Sequence, residues 1–555
     1  MDSNQIRESY LKFFQDKGHA LIPAAPLVPA DDPTTLFTSS GMQQLVPYLK
    51  GQAHPMGKRL ADSQPCFRAE DIDQAGDNRH TNFFTMLGNW SLGDYFKAEQ
   101  LAWFWEWLTK ILKLDTARLY VTVFSGSKEV AKDEESFTIW RKIGLAKDHI
   151  FYYPANKNWW SRSGAPEKMP LGEIGGQDSE VFYEFKEIDH NLKFGSKCHP
   201  NCECGRFLEI GNSVFMEYEK TKAGFRPLPY KNVDFGGGLE RLTAASQNQP
   251  DIFQTDIFKP LMSAIKLESI SDQRLVADHL RAASAMLKEG ILPSNKKQGY
   301  ILRRLIRRAA VKFSDPAELT QYNSDPILNE EINKFSRSLQ EGKRLLQKAK
   351  IVDENFAFNL YQSYGLPFEV ITGLTKTKLD AAKFNQLLTS HSQKSRTASA
   401  GMFKAGLADH SEQVTKCHTA THLLQAALRQ VLGTTVCQEG SNITGERLRF
   451  DFSHPKALTQ AELQQVEALV NQKILENLAV TKAVMTKEAA LQSGALAFFK
   501  ETYPEKVSVY TIGNFSKEIC SGPHIRSTGA IGRVKLVKQE AIGAGKRRLY
   551  AVVEK

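Results

Sequence analysis

The chain has 555 residues, enough for about three or four domains. Hydrophobic residues make up 41% and charged residues 24%, as in an ordinary soluble globular protein, and no repeat or low-complexity tract is present. Seventy-two Lys and Arg against 62 Asp and Glu give a net charge of +10, which is compatible with a polyanionic partner but does not establish one.

Three further features bear on the compartment. The seven cysteines are an odd number without a secreted disulfide framework, which favours a reducing environment. The polar N-terminal stretch MDSNQIRESYLKFFQDKGH lacks the apolar core of a signal peptide. No uninterrupted apolar run approaches the roughly 20 residues of a membrane-spanning helix. We therefore expect a cytoplasmic protein without a membrane partner.

Residues 1–243 are predicted to form one mixed α/β unit. Ser3–Lys17 predicts an opening helix, and apolar residues recur at helical spacing over Leu101–Leu112. Val121–Phe124 and Val181–Phe185 have the composition of strands.

Within this unit, Pro65–Lys97 predicts a β-hairpin that leads into a helix. A loop rich in Asp, Gly and Asn separates CFR from the apolar run FFTML. Such a hairpin places Arg68 near one end of a sheet, with Arg79, His80 and Phe84 close by. A guanidinium group beside an aromatic face can hold a phosphate and stack a purine. The same pattern also fits an ordinary hairpin with a solvated charged loop.

A cysteine-rich segment follows later in the unit. Cys198, His199, Cys202 and Cys204 lie within the seven residues CHPNCEC. Thiolate and imidazole groups are natural zinc ligands, so a small zinc knuckle is one interpretation. Reduced cysteines in a turn are the other, because the spacing is tight for four ligands and no second CxxC follows.

The sequence NVDFGGGLERL, from Asn232 to Leu242, predicts a strand that runs through three glycines into a helix. Glycine removes side chains where a backbone passes close to a ligand. Arg241 falls in the first turn of the helix, within reach of a phosphate. The run matches neither the P-loop nor the dinucleotide-binding fingerprint. Three glycines alone usually mark a turn.

Taken together, RHTNFFTMLGNWSLGDYFK and NVDFGGGLERL resemble motifs 2 and 3 of class II aminoacyl-tRNA synthetases. The first of them has the wording of the alanyl-tRNA synthetase family. The resemblance implies a catalytic domain built on an antiparallel sheet, with motif 1 in Leu36–Leu49. It also implies that alanine and Mg²⁺-bound ATP form alanyl-adenylate, and that alanine then passes to tRNA(Ala).

The resemblance also implies the roles of particular residues. Arg68 would contact the α-phosphate, Phe84 would stack on adenine, and Arg241 would hold the ATP tail. The implied ATP-binding set is Arg68, Arg79, His80, Phe84, Gly236 and Arg241, and the implied alanine-binding set is Trp160, Val214, Asp234 and Gly236. Arg68, Asp234 and Arg241 form the implied catalytic set.

The residues themselves bear on two of these positions. A cationic amine in a closed pocket needs an anionic partner, which supports a contact between Asp234 and the α-ammonium group of alanine. A buried tryptophan such as Trp160 is usually part of the core. Thr85 stands where relatives often carry Glu, so an ATP contact there is left open.

Residues 244–405 predict a mainly helical domain. Tyr300–Phe313 places four arginines on one helix face, with apolar residues on the other side: Arg303, Arg304, Arg307 and Arg308. Such a face is either a solvated surface or a track for phosphates. The family uses this region to bind the tRNA acceptor stem and its G·U pair. Arg308 and Asp409 match that role, and Lys297 stands where bacterial relatives carry Asn.

A second constellation lies in the last third of the chain, after the polar segment Ser390–Ala400, which reads as a linker. Lys416–Leu432 predicts an amphipathic helix that projects His418 and His422 from one face. Cys520 and His524 repeat the same gap about a hundred residues later. Three imidazoles and one thiolate suit tetrahedral zinc, although a lone HxxxH is usually structural. No HExxH glutamate is present, so a hydrolytic water would depend on the metal or on Thr421 and Gln438.

Residues 406–555 resemble the editing domain shared by alanyl- and threonyl-tRNA synthetases and free-standing deacylases. The match rests on QEGSNITGERLRFDFSHP and on CSGPH, which departs from the family's CGGTH but keeps both candidate ligands. Threonyl relatives can use similar residues without a metal. There is a physical reason for a second, hydrolytic site. Glycine lacks one methylene of alanine, which lowers its binding energy by only ~1–3 kcal/mol, and a small apolar pocket also rejects the added hydroxyl of serine poorly.

The sequence therefore predicts a multidomain α/β (α+β) enzyme. It consists of a catalytic domain (1–243), a helical tRNA-binding domain (244–405) and an α+β editing domain (406–555). We expect ligation of alanine to tRNA(Ala) and hydrolysis of Ser-tRNA(Ala) and Gly-tRNA(Ala). The alternatives are a deacylase of mischarged tRNA and a non-catalytic tRNA-binding paralogue. The chain ends soon after Ala544-Gly545-Lys546 without the family's C-terminal oligomerisation domain, so we expect a monomer.

Overall fold

The computed structural model describes residues 1–29, 35–349, 351–375, 377–400, 407, 409, 411–497, 504–543 and 545–554. The chain divides into two units, Met1–Gln340 and Glu341–Lys555. The predicted domain limits at residues 243 and 405 stay predictions. Within the described ranges, no helix is both long enough and apolar enough to cross a bilayer.

The first unit is built on one mixed sheet. Its strands are β1 (Ala20–Leu21), β2 (Arg59–Phe67), β3 (Phe83–Leu92), β4 (Leu119–Phe124), β5 (Ile150–Tyr153), β6 (Trp159–Ser161), β7 (Ile174–Glu184), β8 (Phe207–Thr221) and β9 (Gly224–Gly238). They lie in the order β1-β2-β3-β9-β8-β7-β4-β5, and β6 pairs with β7. The pairs β1/β2 and β4/β5 are parallel, and the remaining pairs are antiparallel.

Helices cover this sheet and follow it along the chain. They are α1 (Ser3–Asp16), α2 (Val46–Leu49), α3 (Lys97–Glu106), α4 (Glu134–Ile143), α5 (Ala155–Asn158), α6 (Leu239–Ser246), α7 (Lys259–Ala264), α8 (Ile270–Lys288), α9 (Lys297–Ala310) and α10 (Pro326–Lys348). The division between the two units falls within α10.

Helix α1 shows how the sequence fixes its packing. Asp2 and Gln5 form a capping box at its start, which satisfies backbone N–H groups that the first turn leaves unpaired. Ile6, Tyr10 and Phe14 are spaced four residues apart and are fully buried, so they form one apolar stripe. The Tyr10 hydroxyl donates to Asn89 Oδ1 on β3 at 2.8 Å, which ties the helix to the central sheet.

The predicted hairpin is present as β2 and β3. Their antiparallel register runs from Arg59 opposite Ser91 to Phe67 opposite Phe83. β9 pairs with the other edge of β3, and the glycine run opposes residues 86–88 there. The two sequence motifs of the resemblance thus lie on adjacent strands.

The second unit contains two smaller sheets. Strands β10 (Gln438–Ile443), β11 (Leu448–Ser453), β15 (Arg533–Gly543) and β16 (Lys546–Glu554) form a sheet in the order β10-β11-β16-β15. Strands β12 (Val480–Thr486), β13 (Lys506–Ile512) and β14 (Ser516–Ile519) form the other sheet. The helices are α11 (Glu354–Tyr364), α12 (Phe368–Leu374), α13 (Ala381–Ala400), α14 (Glu412–Leu432), α15 (Gln460–Leu475) and α16 (Lys487–Gln492).

One expectation about this unit was wrong. We expected Ser390–Ala400 to be a polar linker, but the backbone continues α13 through Ala400. The segment contains neither Pro nor Gly, so nothing in it terminates a helix. Its polarity therefore does not indicate a loop.

Candidate functional site

Arg68 and Phe84 lie side by side at the end of the hairpin. Arg68 follows β2 directly, and its backbone N donates to Asn82 O at 2.9 Å. Its Nε donates to Ser39 O at 3.2 Å, which fixes the direction of the guanidinium group. The guanidinium carbon lies 4.9 Å from the centroid of the Phe84 ring. The structure thus brings together a cation and an aromatic face, as a nucleotide site requires.

The loop between β2 and β3 positions Arg79 and His80. The backbone N–H groups of both residues donate to Asp77 Oδ1, at 2.9 and 2.8 Å. Burial alone would raise the pKa of Asp77, but its hydrogen bonds with His80 and with these N–H groups lower that pKa to about 2. Asp77 therefore stays ionised and holds the loop in a turn.

Thr85 is the position that departs from the family pattern. Its backbone N lies 3.1 Å from both carboxylate oxygens of Glu240, which is buried in α6. Arg281 donates to Glu240 Oε1 at 2.6 Å and to Phe83 O at 2.7 Å. Sequence reasoning missed Glu240 and Arg281. The signal for Glu240 was its place inside GLERL, directly before Arg241.

The predicted alanine-binding residues converge on the centre of the sheet. Asp234 on β9 is opposite Trp90 on β3 and opposite Val214 on β8. Trp90 Nε1 donates to Asp234 Oδ1 at 2.7 Å. Trp160 on β6 is half-buried and packs against the cluster that contains Trp90 and Val214. Asp234 thus lies among apolar side chains, and a second buried acid is close by, since burial and then the charge of Asp234 raise the pKa of Asp62 to about 8.

Gly236 and Arg241 occupy the end of β9 and the start of α6. A Cβ atom on Gly236 would lie 3.0 Å from Met86 Sδ, so a side chain at this position would press on Met86. Arg241 Nη1 donates to Glu209 Oε2 on β8 at 3.0 Å. The ion pair with Glu209 thus holds the Arg241 side chain against β8.

The sequence analysis also missed a set of buried acids beside this site. Asp178 and Glu180 alternate with other residues along β7, and Asp178 is opposite Val214. Burial raises the pKa of Asp178 to about 7, against hydrogen bonds from Asn158 and Asn212 that lower it. Burial, followed by the charge of Glu209, raises the pKa of Glu180. In the sequence, these acids lie within QDSEVFYE, whose residue pattern predicts an ordinary strand.

The arginine face of α9 is present, and each arginine has an acidic partner. Arg303 and Arg307 contact Glu331 Oε1 at 2.9 and 3.0 Å. Arg304 and Arg308 contact Asp73 Oδ1 at 2.9 and 3.2 Å. These acids lie outside the helix, so the helix sequence gave no sign of them.

Two further residues of the predicted tRNA set lie elsewhere. Lys297 is the first residue of α9 and has a φ of +49°, a conformation that non-glycine residues rarely adopt. Asp409 belongs to the second unit, is exposed, and accepts a hydrogen bond from Ser411 N at 2.8 Å.

The predicted histidine and cysteine set of the second unit is assembled. His418, His422, Cys520 and His524 place their ligand atoms within 4.8 Å of one another. His418 Nε2 lies 3.4 Å from Cys520 Sγ, and His418 Nδ1 lies 3.0 Å from Pro523 O. Since a carbonyl only accepts, the proton is on Nδ1 and the Nε2 lone pair points to the cluster. A Cβ on Gly522 would lie 2.3 Å from His418 Cε1, so CSGPH requires this glycine.

The chemistry of this set fits a metal ion. His422 Nδ1 and His524 Nε2 are buried and make no hydrogen bond to any part of the chain that the structure describes. Burial lowers the pKa of His418 to about 4, against the hydrogen bond to Pro523, and it lowers that of His422 to about 3. Neutral, buried imidazoles with unused ring nitrogens are suited to zinc.

Three other residues bear on this proposed site. Thr421 is buried in α14 and its hydroxyl donates to His418 O at 2.7 Å, while Gln438 begins β10. Glu518, which the sequence analysis did not single out, accepts from Ser516 Oγ at 3.0 Å, and its Oε2 lies 3.3 Å from His422 Nδ1 without forming a hydrogen bond. It lies two residues before Cys520, in a segment that reads as an ordinary strand.

The other cysteine-rich segment differs from expectation. One of the two interpretations of CHPNCEC grouped His199 with Cys198, Cys202 and Cys204, but in the structure His190 lies with these three cysteines. His199 Nδ1 instead lies 2.6 Å from the Tyr153 hydroxyl. The reason is the turn at this segment, in which Cys202 N donates to His199 O and the His199 ring faces Tyr153.

Comparison with known proteins decides the family. The family described as "tRNA synthetases class II (A)" matches residues 5–321, and "Threonyl and Alanyl tRNA synthetase second additional domain" matches residues 507–550. The alanine–tRNA ligase of Treponema pallidum is 42% identical over 100% of this chain and 98% of its own length. The chain belongs to the alanine–tRNA ligase family.

Other members agree with this placement. The Treponema denticola ligase is 43% identical over 99% of both chains. The Thermotoga maritima ligase is 33% identical, and the match spans 100% of this chain and 80% of that ligase. Membership confirms the predicted class II synthetase fold and the ligase class. Together with the second-domain match, it supports aminoacylation and editing, and it gives no support to the deacylase-only or non-catalytic alternatives.

Proposed function

We propose that this chain joins alanine to tRNA(Ala) at the sheet of its first unit and hydrolyses Ser-tRNA(Ala) and Gly-tRNA(Ala) at the histidine and cysteine set of its second unit. The observation that carries the first half is the register of β3, β9 and β8. It places the carboxyl group of Asp234 between Trp90 and Val214, on the same sheet as Arg68 and Phe84.

In the first step, an oxygen of the alanine carboxylate attacks the α-phosphorus of ATP, and pyrophosphate leaves. Arg68 neutralises charge on the α-phosphate, and Phe84 stacks on adenine beside it. Arg241, held by Glu209, contacts the leaving phosphates, while Mg²⁺ enters as part of the nucleotide substrate. The chain's contribution is positioning and charge neutralisation around a dispersed negative charge.

In the second step, a hydroxyl group of the terminal adenosine attacks the carbonyl carbon of the adenylate, and AMP leaves. Asp234 holds the α-ammonium group in both steps, so the amino acid keeps its position. Trp160, Val214 and Gly236 limit the space for its side chain. Glycine and serine differ from alanine by too little for this pocket to exclude them fully, since one methylene gives only about 10–200-fold.

The proposed editing site in the second unit hydrolyses the Gly-tRNA(Ala) and Ser-tRNA(Ala) that result from this incomplete exclusion. His418, His422, Cys520 and His524 would hold zinc, which when bound supplies a Lewis acid for activation of water. Pro523 O fixes the His418 tautomer, and burial keeps the imidazoles neutral. Thr421, which is buried in α14 directly before His422, and Gln438 at the start of β10 are assigned the orientation of the ester that is cleaved.

The test of the alanine pocket is a comparison of Asp234→Asn with wild type in ATP–pyrophosphate exchange. The amide keeps the shape but loses the charge that pairs with the ammonium group. We expect the KM for alanine to rise by about 10–100-fold, the effect of about 1.5–3 kcal/mol for a lost charged hydrogen bond. The KM for ATP should stay within about twofold. A change in the ATP dependence alone would refute the role of Asp234.

A further inference from the structure

A second set of zinc-type ligands lies in the connection between β7 and β8, outside both proposed reactions. His190, Cys198, Cys202 and Cys204 place one ligand atom each within 4.8 Å of one another. We propose that these four residues bind a structural zinc ion that braces this connection against the ATP site. The bracing part of the inference rests on the proposed function, whereas the metal site does not.

The distances match tetrahedral zinc. Cys198 Sγ lies 3.5 Å from Cys204 Sγ, and Cys202 Sγ lies 3.7 Å from His190 Nδ1. Zinc bonds of about 2.3 Å to sulfur and about 2.0 Å to nitrogen place such ligand atoms about 3.5–3.8 Å apart. A disulfide would need about 2.05 Å between the sulfurs, so these thiols are not paired with each other. Four protein ligands make the closed shell of a structural site.

The orientation of His190 is fixed for this purpose. Its Nε2 lies 2.9 Å from Gly195 O, and a carbonyl can only accept. The proton is therefore on Nε2, and the lone pair of Nδ1 points to the thiols. Zinc-binding histidines commonly donate their second ring nitrogen to a carbonyl in this way. His199, by contrast, has its Nδ1 2.6 Å from the Tyr153 hydroxyl.

The site lies next to the groups assigned to ATP. Gly205 follows Cys204 with a φ of +99°, and a Cβ atom there would lie 3.1 Å from Arg79 Nη2. Arg206 O accepts from Phe185 N at 2.8 Å, and Arg206 Nε donates to Glu184 Oε1 at 2.7 Å. These bonds join the end of β7 to the start of β8.

The same strand carries a second link to the nucleotide. Glu209 lies five positions after Cys204 and holds Arg241. A zinc ion bound between residues 190 and 204 would therefore fix the segment that lies next to Arg79 and leads into the strand that holds Arg241. It would act as a positioning device and would touch neither substrate.

The decisive experiment is zinc analysis of the full chain, purified from zinc-containing medium, for wild type and single variants. We expect about two zinc ions per chain in wild type, one at each four-residue set. His190→Ala and Cys202→Ser should each retain about one, and Cys520→Ser should also retain about one. His199→Ala is the matched control and should retain two. Loss of zinc in His199→Ala but not in His190→Ala would overturn the ligand set.

A second measurement avoids reliance on variants that fail to fold. Cys198 and Cys204 are half-exposed, so their thiols react with an alkylating reagent unless a metal holds them. Mass spectrometry should find both protected in zinc-replete wild type and modified after treatment with a chelator. Buried Cys66 should stay unmodified in both samples. Equal modification of Cys198 and Cys204 with and without chelator would contradict the site.

The bracing role has its own readout. His190→Ala should raise the KM for ATP several-fold, because Arg79 and Arg241 lose a fixed neighbour, with the KM for alanine and the deacylation of Ser-tRNA(Ala) unchanged. Loss of one zinc with an unchanged KM for ATP would keep the site and refute the bracing. Absence of exchange in wild type would refute the proposed function, and the zinc count would still decide the site.

Discussion

At the scale of single residues, burial controls the protonation state of the Asp234 carboxyl group. Its side chain lies in the interior of the sheet, with one hydrogen bond from Trp90 Nε1 at 2.7 Å. Burial raises the pKa of Asp234 to about 7, and the Trp90 hydrogen bond opposes that rise. Below about pH 7 the free enzyme therefore carries a neutral acid, which pairs poorly with an ammonium group.

This gives a pH prediction. The kcat/KM for alanine should fall as the pH decreases through about 7, because kcat/KM reports groups of the free enzyme. Trp90→Phe removes the hydrogen bond that favours the carboxylate, so the midpoint should move to higher pH. Exchange kinetics from pH 6 to pH 9 measure this.

The matched control is Trp140→Phe. Trp140 is also fully buried and donates its Nε1 proton to a side chain, Ser179 Oγ at 3.0 Å, but not to Asp234. Its profile should keep the wild-type midpoint. If Trp90→Phe moved the midpoint to lower pH, the assignment of the profile to Asp234 would be wrong.

Lys97 is a residue whose role is structural. Its Nζ contacts Asp133 Oδ1 at 2.7 Å and Gln177 Oε1 at 2.9 Å, and both charged side chains are at most 3% exposed. Asp133 also caps α4 by accepting from Ser136 N. This network joins α3, the start of α4 and β7.

Removal of one partner leaves the other charge buried. Lys97→Met should therefore lower the free energy of unfolding by about 3–5 kcal/mol, measured by urea denaturation. Lys12→Met is the control, since Lys12 pairs with Asp16 on the surface and such pairs contribute about 0–1 kcal/mol. Equal effects of the two changes would show that the buried pair has no special weight.

At the scale of elements, α9 combines a basic face with acids from other parts of the chain. Glu331 is mostly buried and holds Arg303 and Arg307, whereas Asp73 is exposed and contacts Arg304 and Arg308. A phosphate of the acceptor stem can replace an exposed carboxylate more easily than a buried one. We infer that Arg304 and Arg308 are the pair that binds tRNA.

This inference predicts different salt dependences. Arg304→Gln with Arg308→Gln should weaken tRNA binding and reduce the slope of log K against log salt by about 0.7–0.9 for each lost phosphate contact. The double change of Arg303 and Arg307 to Gln is the matched control and should leave the slope unchanged. A filter-binding titration tests this. Equal slopes for both double variants and wild type would show that the arginine face is a solvated surface that does not contact tRNA phosphates.

The elements also show what a sequence can and cannot predict. The hairpin β2/β3 and helix α14 were predictable, because their apolar periodicity and turn residues are local. Histidines at i and i+4 on a helix share a face by geometry. The partners of Arg304 and Asp234 were not predictable, since Asp73 and Trp90 lie 231 and 144 positions away. Only the sheet register and tertiary packing bring them together.

The ligand set of the cysteine-rich segment could not be read from the sequence for a related reason. His199 is the histidine inside CHPNCEC and was therefore grouped with its three cysteines, but its ring faces Tyr153. His190 enters the set from before an intervening turn of 3₁₀ helix, Leu192–Phe194. Spacing alone does not show which way a ring points in a loop.

At the scale of the whole molecule, one chain carries two sets of candidate site residues, one proposed for ligation and the other for hydrolysis. In the proposed function, the first set joins an amino acid to tRNA, and the second releases a wrong one. The two sets share no residue, and they lie in separate units of the chain. The family's match covers the first set with residues 5–321, and the second-domain match includes Cys520 and His524.

The central claim is therefore that ligation and editing are separable activities of this chain. The measurement is a pair of assays, ATP–pyrophosphate exchange with alanine and deacylation of Ser-tRNA(Ala), on wild type, Arg68→Ala and His418→Ala. We predict that Arg68→Ala loses exchange by at least about 100-fold and keeps deacylation, as loss of a charge-stabilising contact implies. His418→Ala should lose deacylation and keep exchange within about twofold. Loss of both activities in either variant, with the fold intact by circular dichroism, would contradict the account.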